Sequence, residues 1–239
     1  MKLNSKLQRI RTRAVRILCL FPLLFPGAIA TAQTVRPIIS EYTGTGKGRV
    51  ELVNDSTIPL TVIVSPKSFE VSETGEMSYG PMADDIHVKL SAMSFRIQPK
   101  QSYYVFYEAK SERLPCWFVI YFEFSGFPVK DHSGLNVQLE LPHTVYLLPK
   151  GSVKRDELEA SAVFDSNTKK IKVTTFNKGT TVARVLMMNA EQRGHKDQGF
   201  GFPIYPQKHR IAEMQWSGST PPEKIILEFE NFKLETPVR

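Results

Sequence analysis

Gly134 to Pro149 reads GLNVQLELPHTVYLLP. Leu135, Val137, Leu139 and Leu141 alternate with Asn136, Gln138 and Glu140, the period of two expected of a β-strand with one apolar face. Pro142 follows, and a proline, having no N–H to donate, is tolerated on an edge strand or at a bulge and poorly in a central strand. Together the two signals place this strand at the margin of a sheet. Unpaired backbone groups beside a continuous aliphatic stripe invite another strand to add on. Either the chain covers this edge or a partner does.

Moving towards the N-terminus, Cys116 to Phe124 (CWFVIYFEF) is a nearly continuous apolar run, as expected of a strand buried on both faces at the centre of a core. Phe95–Ile97 and Tyr103–Tyr107 read as strands around the turn Pro99-Lys100-Gln101-Ser102. Arg49–Val53 and Ile58–Val64 form a hairpin about Asn54-Asp55-Ser56. Gly44, Gly46 and Gly48 read as a polar turn, and Ser65 to Met93 as an irregular loop. Beyond Pro149, Lys150 to Asp156 is polar and contains a glycine, the composition of a linker. Strands are then expected over Leu158–Phe164, Lys170–Phe176, Thr181–Met188, Gly199–Ile204, Arg210–Gln215 and Ile225–Leu234, with a charged loop at Glu191–Gln198. No helical period intervenes. The expected fold is all-β, two immunoglobulin-like sandwiches in tandem over residues 33–150 and 151–239.

The first 32 residues carry a basic lead, Lys2, Lys6, Arg9, Arg11, Arg13 and Arg16, then the apolar run Ile17–Ile29 and the small-x-small site Ala30-Thr31-Ala32. This is the pattern of a secretory signal peptide, and Pro22, Pro26 and Gly27 make it a poor membrane span. No stable membrane insertion is expected after cleavage. With the leader removed, 25 basic residues of the original 31 face 24 acidic ones. The mature chain is thus nearly neutral, which argues against a nucleic-acid partner. Only Cys116 remains, so no internal disulfide is expected and stability must come from the core. Cys116 itself reads as a small buried side chain.

No residues with catalytic or metal-binding spacing emerge. GTGKG lacks the spacing of a phosphate-binding loop, and there is no GxSxG, no HExxH and no paired-cysteine motif. His87, His132, His143, His195 and His209 are expected in loops or beside turns. Asp84-Asp85 has no third ligand at useful spacing. Asp131-His132-Ser133 holds the residue types of a catalytic triad, but neighbours in a loop cannot take up its geometry. Trp117 and Trp216 read as core residues. The expectation is a binding protein with no enzymatic activity, cofactor or metal.

The succession Phe95-Arg96-Ile97-Gln98-Pro99-Lys100-Gln101-Ser102, an aromatic strand, Leu114-Pro115 ahead of Phe118–Phe124, and the alternating Val137, Leu139 and Leu141 resembles the first domain of the PapD-like periplasmic chaperones of the chaperone-usher pilus pathway. Ile171-Lys172-Val173 to Asn177, Thr181–Met188, Ile204–Gln207 and Ile225–Phe229 are similar to that family's second domain. The resemblance implies a periplasmic chaperone that lends an edge strand to a pilin-like or other secreted β-rich subunit, with an outer-membrane usher as second partner. The lending positions would be Leu135, Val137, Leu139 and Leu141. The family anchors the subunit's terminal carboxylate with an arginine on the first strand and a lysine on the lending strand. Here Tyr146 stands at the lysine position and Ile38–Glu41 contains no arginine, leaving Tyr146, Arg36 and Lys150 as candidate anchors. The alternative is a structural or adhesive envelope protein with the same sandwiches as rigid spacers.

Overall fold

The computed structural model describes residues 33–126 and 138–239. Leu135, Val137, Asp131-His132-Ser133 and the leader lie outside them. The first sandwich contains β1 (Thr34–Arg36), β2 (Ile39–Thr43), β3 (Gly46–Asn54), β4 (Leu60–Val71), β5 (Met77–Gly80), β6 (Ile86–Leu90), β7 (Ser94–Ile97), β8 (Gln101–Ser111), β9 (Cys116–Ser125) and β10 (Leu139–Leu148). The second contains β11 (Leu158–Asp165), β12 (Lys170–Asn177), β13 (Ala183–Gln192), β14 (His195–Ile204), β15 (His209–Gln215), β16 (Lys224–Glu228) and β17 (Lys233–Pro237). The all-β tandem architecture is as expected.

In the first sandwich one sheet runs β1-β3-β8-β6 and the other β2-β10-β9-β4-β5, with β7 also on β4. Val50 and Leu52 of β3, Val62 of β4, Val105 of β8 and the alternate residues Phe118, Ile120, Phe122 and Phe124 of β9 fill the space between them. Burying each such side chain is worth about 1.5–3 kcal/mol. The second sandwich packs a three-stranded sheet, β11-β12-β15, against β14-β13-β16-β17 around Ile171, Val185, Ile204, Trp216 and Leu227. A smaller cluster joins the sandwiches: Phe69, Val71, Val119 and Tyr146 meet Val182 and Tyr205. That junction is why the Cys116–Phe124 run is apolar on both faces, since Phe118 and Ile120 point into the first core while Val119 points towards the second sandwich.

A buried asparagine ends the corresponding strand of each sandwich in the same way. The Asn54 amide donates to the carbonyls of Ile58 (2.8 Å) and Ile97 (3.1 Å), and the Asn177 amide to those of Thr181 (2.8 Å) and Ile204 (3.0 Å). Their side-chain oxygens accept from the N–H of Ser56 (3.0 Å) and Gly179 (2.9 Å). Each side chain thus satisfies backbone groups that the loops would otherwise leave buried and unpaired.

Several expectations are corrected. Only Gly44, with φ of +79°, serves a turn; Gly46 and Gly48 lie inside β3. A side chain at Gly46 or Gly48 would overlap the rings of Tyr42 and Tyr107. Residues 65–93 are not an irregular loop: β4 continues to Val71 because Ser65–Ser68 pair with β9, and β5 and β6 follow. The charged stretch Glu191–Gln198 is a hairpin turning at Arg193-Gly194, with Lys196 near Glu191 on one face and Asp197 turned to the other, bonded to Ser217. Ile225–Leu234 is two strands, β16 and β17, paired antiparallel. His87 and His143 lie in strands instead of loops, while His195 and His209 open β14 and β15 beside turns, as expected.

Candidate functional site

β10 pairs antiparallel with β9 from Leu139 to Leu147, but on its other side β2 pairs with it, in parallel, only from Thr144 to Leu148. The strand therefore continues through Pro142. Thr144 donates its N–H to the Ile38 carbonyl at 2.8 Å, which fixes the direction of the backbone. Because these groups alternate along a strand, Glu140 and Pro142 point theirs to the same side as Thr144, where no strand of the described residues pairs with them. Pro142 consequently forfeits no ladder bond. Its carbonyl and both backbone groups of Glu140 form a free edge.

The side chains follow the opposite alternation. Leu139 and Leu141 are half-buried and pack against the first core, so they are neither sealed inside nor fully presented. The same parity puts His143 on the core face, where it is buried completely. Its Nδ1 lies 2.7 Å from the Pro37 carbonyl and its Nε2 3.0 Å from the Tyr107 hydroxyl, which is 2.8 Å from the Tyr42 hydroxyl. A carbonyl only accepts, so Nδ1 carries the hydrogen; Nε2 then accepts from Tyr107, and Tyr107 accepts from Tyr42. Gly46 and Gly48 provide the room for this chain of rings. Burial holds the His143 pKa below the ordinary imidazole value and pushes that of Tyr107 up.

Of the candidate anchors, Tyr146 faces the second sandwich, buried, with its hydroxyl 3.1 Å from that of Tyr205. Arg36 is paired with Glu51 at 3.0 Å on the outer face of the other sheet. Lys150 is exposed in the turn after β10. The cation beside Tyr146 at the junction is Arg184 of β13, which sequence reasoning missed. Its guanidinium lies 4.7 Å from the centre of the Tyr146 ring and is ion-paired with Glu41 of β2. Beside it a cavity of about 410 Å³ is lined by Leu148, Val182, Phe229 and Phe232 as well as this pair. A lone arginine inside the apolar run Thr181–Met188 was the available signal.

The described residues contain no cluster of three or more potential metal-ligating side chains. His195, Asp197 and Ser217 do meet, but Ser217 donates to Asp197 (2.9 Å) and both approach the same nitrogen of His195, at 2.9 and 3.3 Å. A nucleophile, base and orienter need the two nitrogens in separate roles, so this is a polar brace between β14 and the end of β15. Cys116 is buried, which raises its thiol pKa. Among the described residues no helix is long and apolar enough to cross a membrane.

No family model and no curated protein matches the chain. Solved structures do. The chain is similar to the class 5 fimbriae chaperone CfaA, with 12% identity and a TM-score of 0.55 over 87% of this chain and 99% of that one. It is similar to the SafB chaperone complex with the SafA pilin of Salmonella enterica, with 12% identity and a TM-score of 0.56 over 88% and 98%. It is also similar to the CsuC–CsuE chaperone–tip adhesion subunit pre-assembly complex of the archaic chaperone-usher Csu pili of Acinetobacter baumannii, with 13% identity and a TM-score of 0.54 over 87% and 99%. What is shared at such identity is the fold, the two-domain PapD-like one that the sequence resembles.

Proposed function

We propose that the chain is a periplasmic chaperone, without chemical turnover, that holds a pilin-like or other secreted β-rich subunit by lending it the edge of β10 and delivers it to an outer-membrane usher. The observation that carries this reading is the side of β10 over Leu139–His143 that is unpaired among the described residues, in a chain with the fold of fimbrial chaperones. An added strand would take its hydrogen bonds from Glu140 and the Pro142 carbonyl, while alternate side chains fill pockets in the partner. Leu139 and Leu141 supply two of those side chains, and Leu135 and Val137 continue their alternation in the sequence. Each is worth about 1.5–3 kcal/mol when fully buried, so two or more outweigh the loss of their present half-packing.

For the terminal carboxylate, Arg184 is a better anchor than Tyr146, Arg36 or Lys150. It already holds one carboxylate, that of Glu41, and an incoming one would take its place, with Tyr146 as the floor beneath the guanidinium.

The test is co-purification with an incomplete secreted subunit encoded beside this chain. Glu140→Pro removes an N–H that has no partner among the described residues, so folding should persist while retention of the subunit falls tenfold or more, about 1.4 kcal/mol. Leu139→Asp should abolish retention. Full retention by both variants, with native circular dichroism, would overturn the reading.

A further inference from the structure

His143 stands where β10 changes from unpaired to paired on its β2 side, and it reaches back to Pro37, the residue that links β1 to β2. We infer that His143 is an acid-sensitive latch: protonation of its ring releases β2 from β10 and lengthens the free edge from His143 towards Leu148. The neutral ring suits its surroundings, donating at Nδ1 and accepting at Nε2. A second proton removes the acceptor, so Tyr107 must turn its O–H away, towards Tyr42.

That rearrangement leaves a cation in the core with nothing to balance it. β8 presents Tyr107, and β2 presents Tyr42 and Ser40, whose hydroxyls both approach that of Tyr107. β9 presents Ile120 in register with His143, and β3 presents Gly46 and Gly48. β1 turns Val35 inward and directs Arg36 outward to Glu51. No carboxylate among the described residues faces the ring, and the influences on its basicity are burial and the Pro37 carbonyl. A charge in such a place is relieved by reaching water, which breaks the Nδ1–H bond to Pro37. The adjoining bond is the one from Thr144 to the Ile38 carbonyl, so β2 loosens from its first residue.

The consequence for a client rests on the chaperone reading, whereas the latch is measured without one. Amide hydrogen exchange of the whole chain, corrected for intrinsic rates, is read from pH 7.5 to pH 5. With an ordinary imidazole pKa of about 6.5 in the open state, opening increases up to about thirtyfold across this range. The increase should appear at Ser40–Thr43 and Thr144–Leu148 and not at Ile171–Val173 of the second core. His143→Gln should make the profile flat. Tyr107→Phe deletes the O–H that opposes protonation at Nε2 but spares the ring packing, so the closed state takes up the proton more readily and the total increase should be smaller and level off at a higher pH. A flat profile in the native chain, or an unchanged one in His143→Gln, overturns the latch. Should His143→Gln fail to fold, an increase of unchanged size in Tyr107→Phe overturns it equally.

Discussion

The strands that close the two sandwiches, β10 and β17, treat their exposed sides in opposite ways. β17 has five residues and carries Lys233 and Glu235, which bond across to Glu228 (2.6 Å) and Lys224 (2.9 Å) on β16. The chain end beyond it is tied to β11: Arg239 donates to the Ala162 carbonyl at 3.1 Å and accepts from Phe164 at 2.9 Å. A short, charged, tied-down edge is how a sheet discourages unwanted pairing. β10 has ten residues, carries Leu139 and Leu141, and is left uncovered along its first half among the described residues. One edge is defended and the other kept open in the same chain, so the openness of β10 is a property of that strand and not of the architecture.

The largest effect expected from probing this comparison concerns what the sandwiches share. Asn54→Ala and Asn177→Ala each strip buried carbonyls and an N–H of their partners, and each should destabilise the protein by about 2–4 kcal/mol in urea denaturation. A markedly smaller loss at one site would mean that the two locks are not equivalent.

Next comes acid, which should separate the sandwiches. The His143 pKa is lowered in the folded chain, so the unfolded chain binds more protons in the window below about 6.5. The stability His143 contributes is therefore complete above that value and is lost as pH falls through it. Between pH 7.5 and 5.5 the loss should reach up to about 1.4 kcal/mol by denaturant midpoint, and His143→Gln should remove it. The second core contains no buried histidine among the described residues and should not share the loss.

The smallest effect on stability is expected at the defended edge. Lys233→Leu with Glu235→Leu removes exposed charges, so the urea midpoint should hardly move, while sedimentation should reveal self-association absent from the native chain. A variant that stays as monodisperse as the native protein would show that charge is not what protects β17.

Much of this was legible in the residues themselves. The alternation from Leu135 to Leu141 and the proline after it located an edge strand, and the continuous run at Cys116–Phe124 located the centre of the first core. Other features were hidden for identifiable reasons. Lys67, Ser68 and Glu70 made β4 look like a loop because their polar side chains lie on a face partly open to solvent, while their backbones pair with β9 and β5. Asn54 and Asn177 read as ordinary turn residues because the carbonyls they satisfy at Ile97 and Ile204 are distant in sequence. His143 shared the parity of Leu139 and Leu141, a signal that was present, but next to Pro142 it read as a residue in a loop or beside a turn.

By itself the sequence determined most of the strands, the apolar faces and the two-sandwich class, because side-chain alternation is a local consequence of backbone geometry. Only the tertiary structure decided which half of β10 pairs with β2, that Arg184 and Glu41 meet beside Tyr146, and that a histidine is enclosed beside two tyrosines. Those facts depend on contacts between segments far apart in the chain, and the period of a single strand carries no information about what lies beside it.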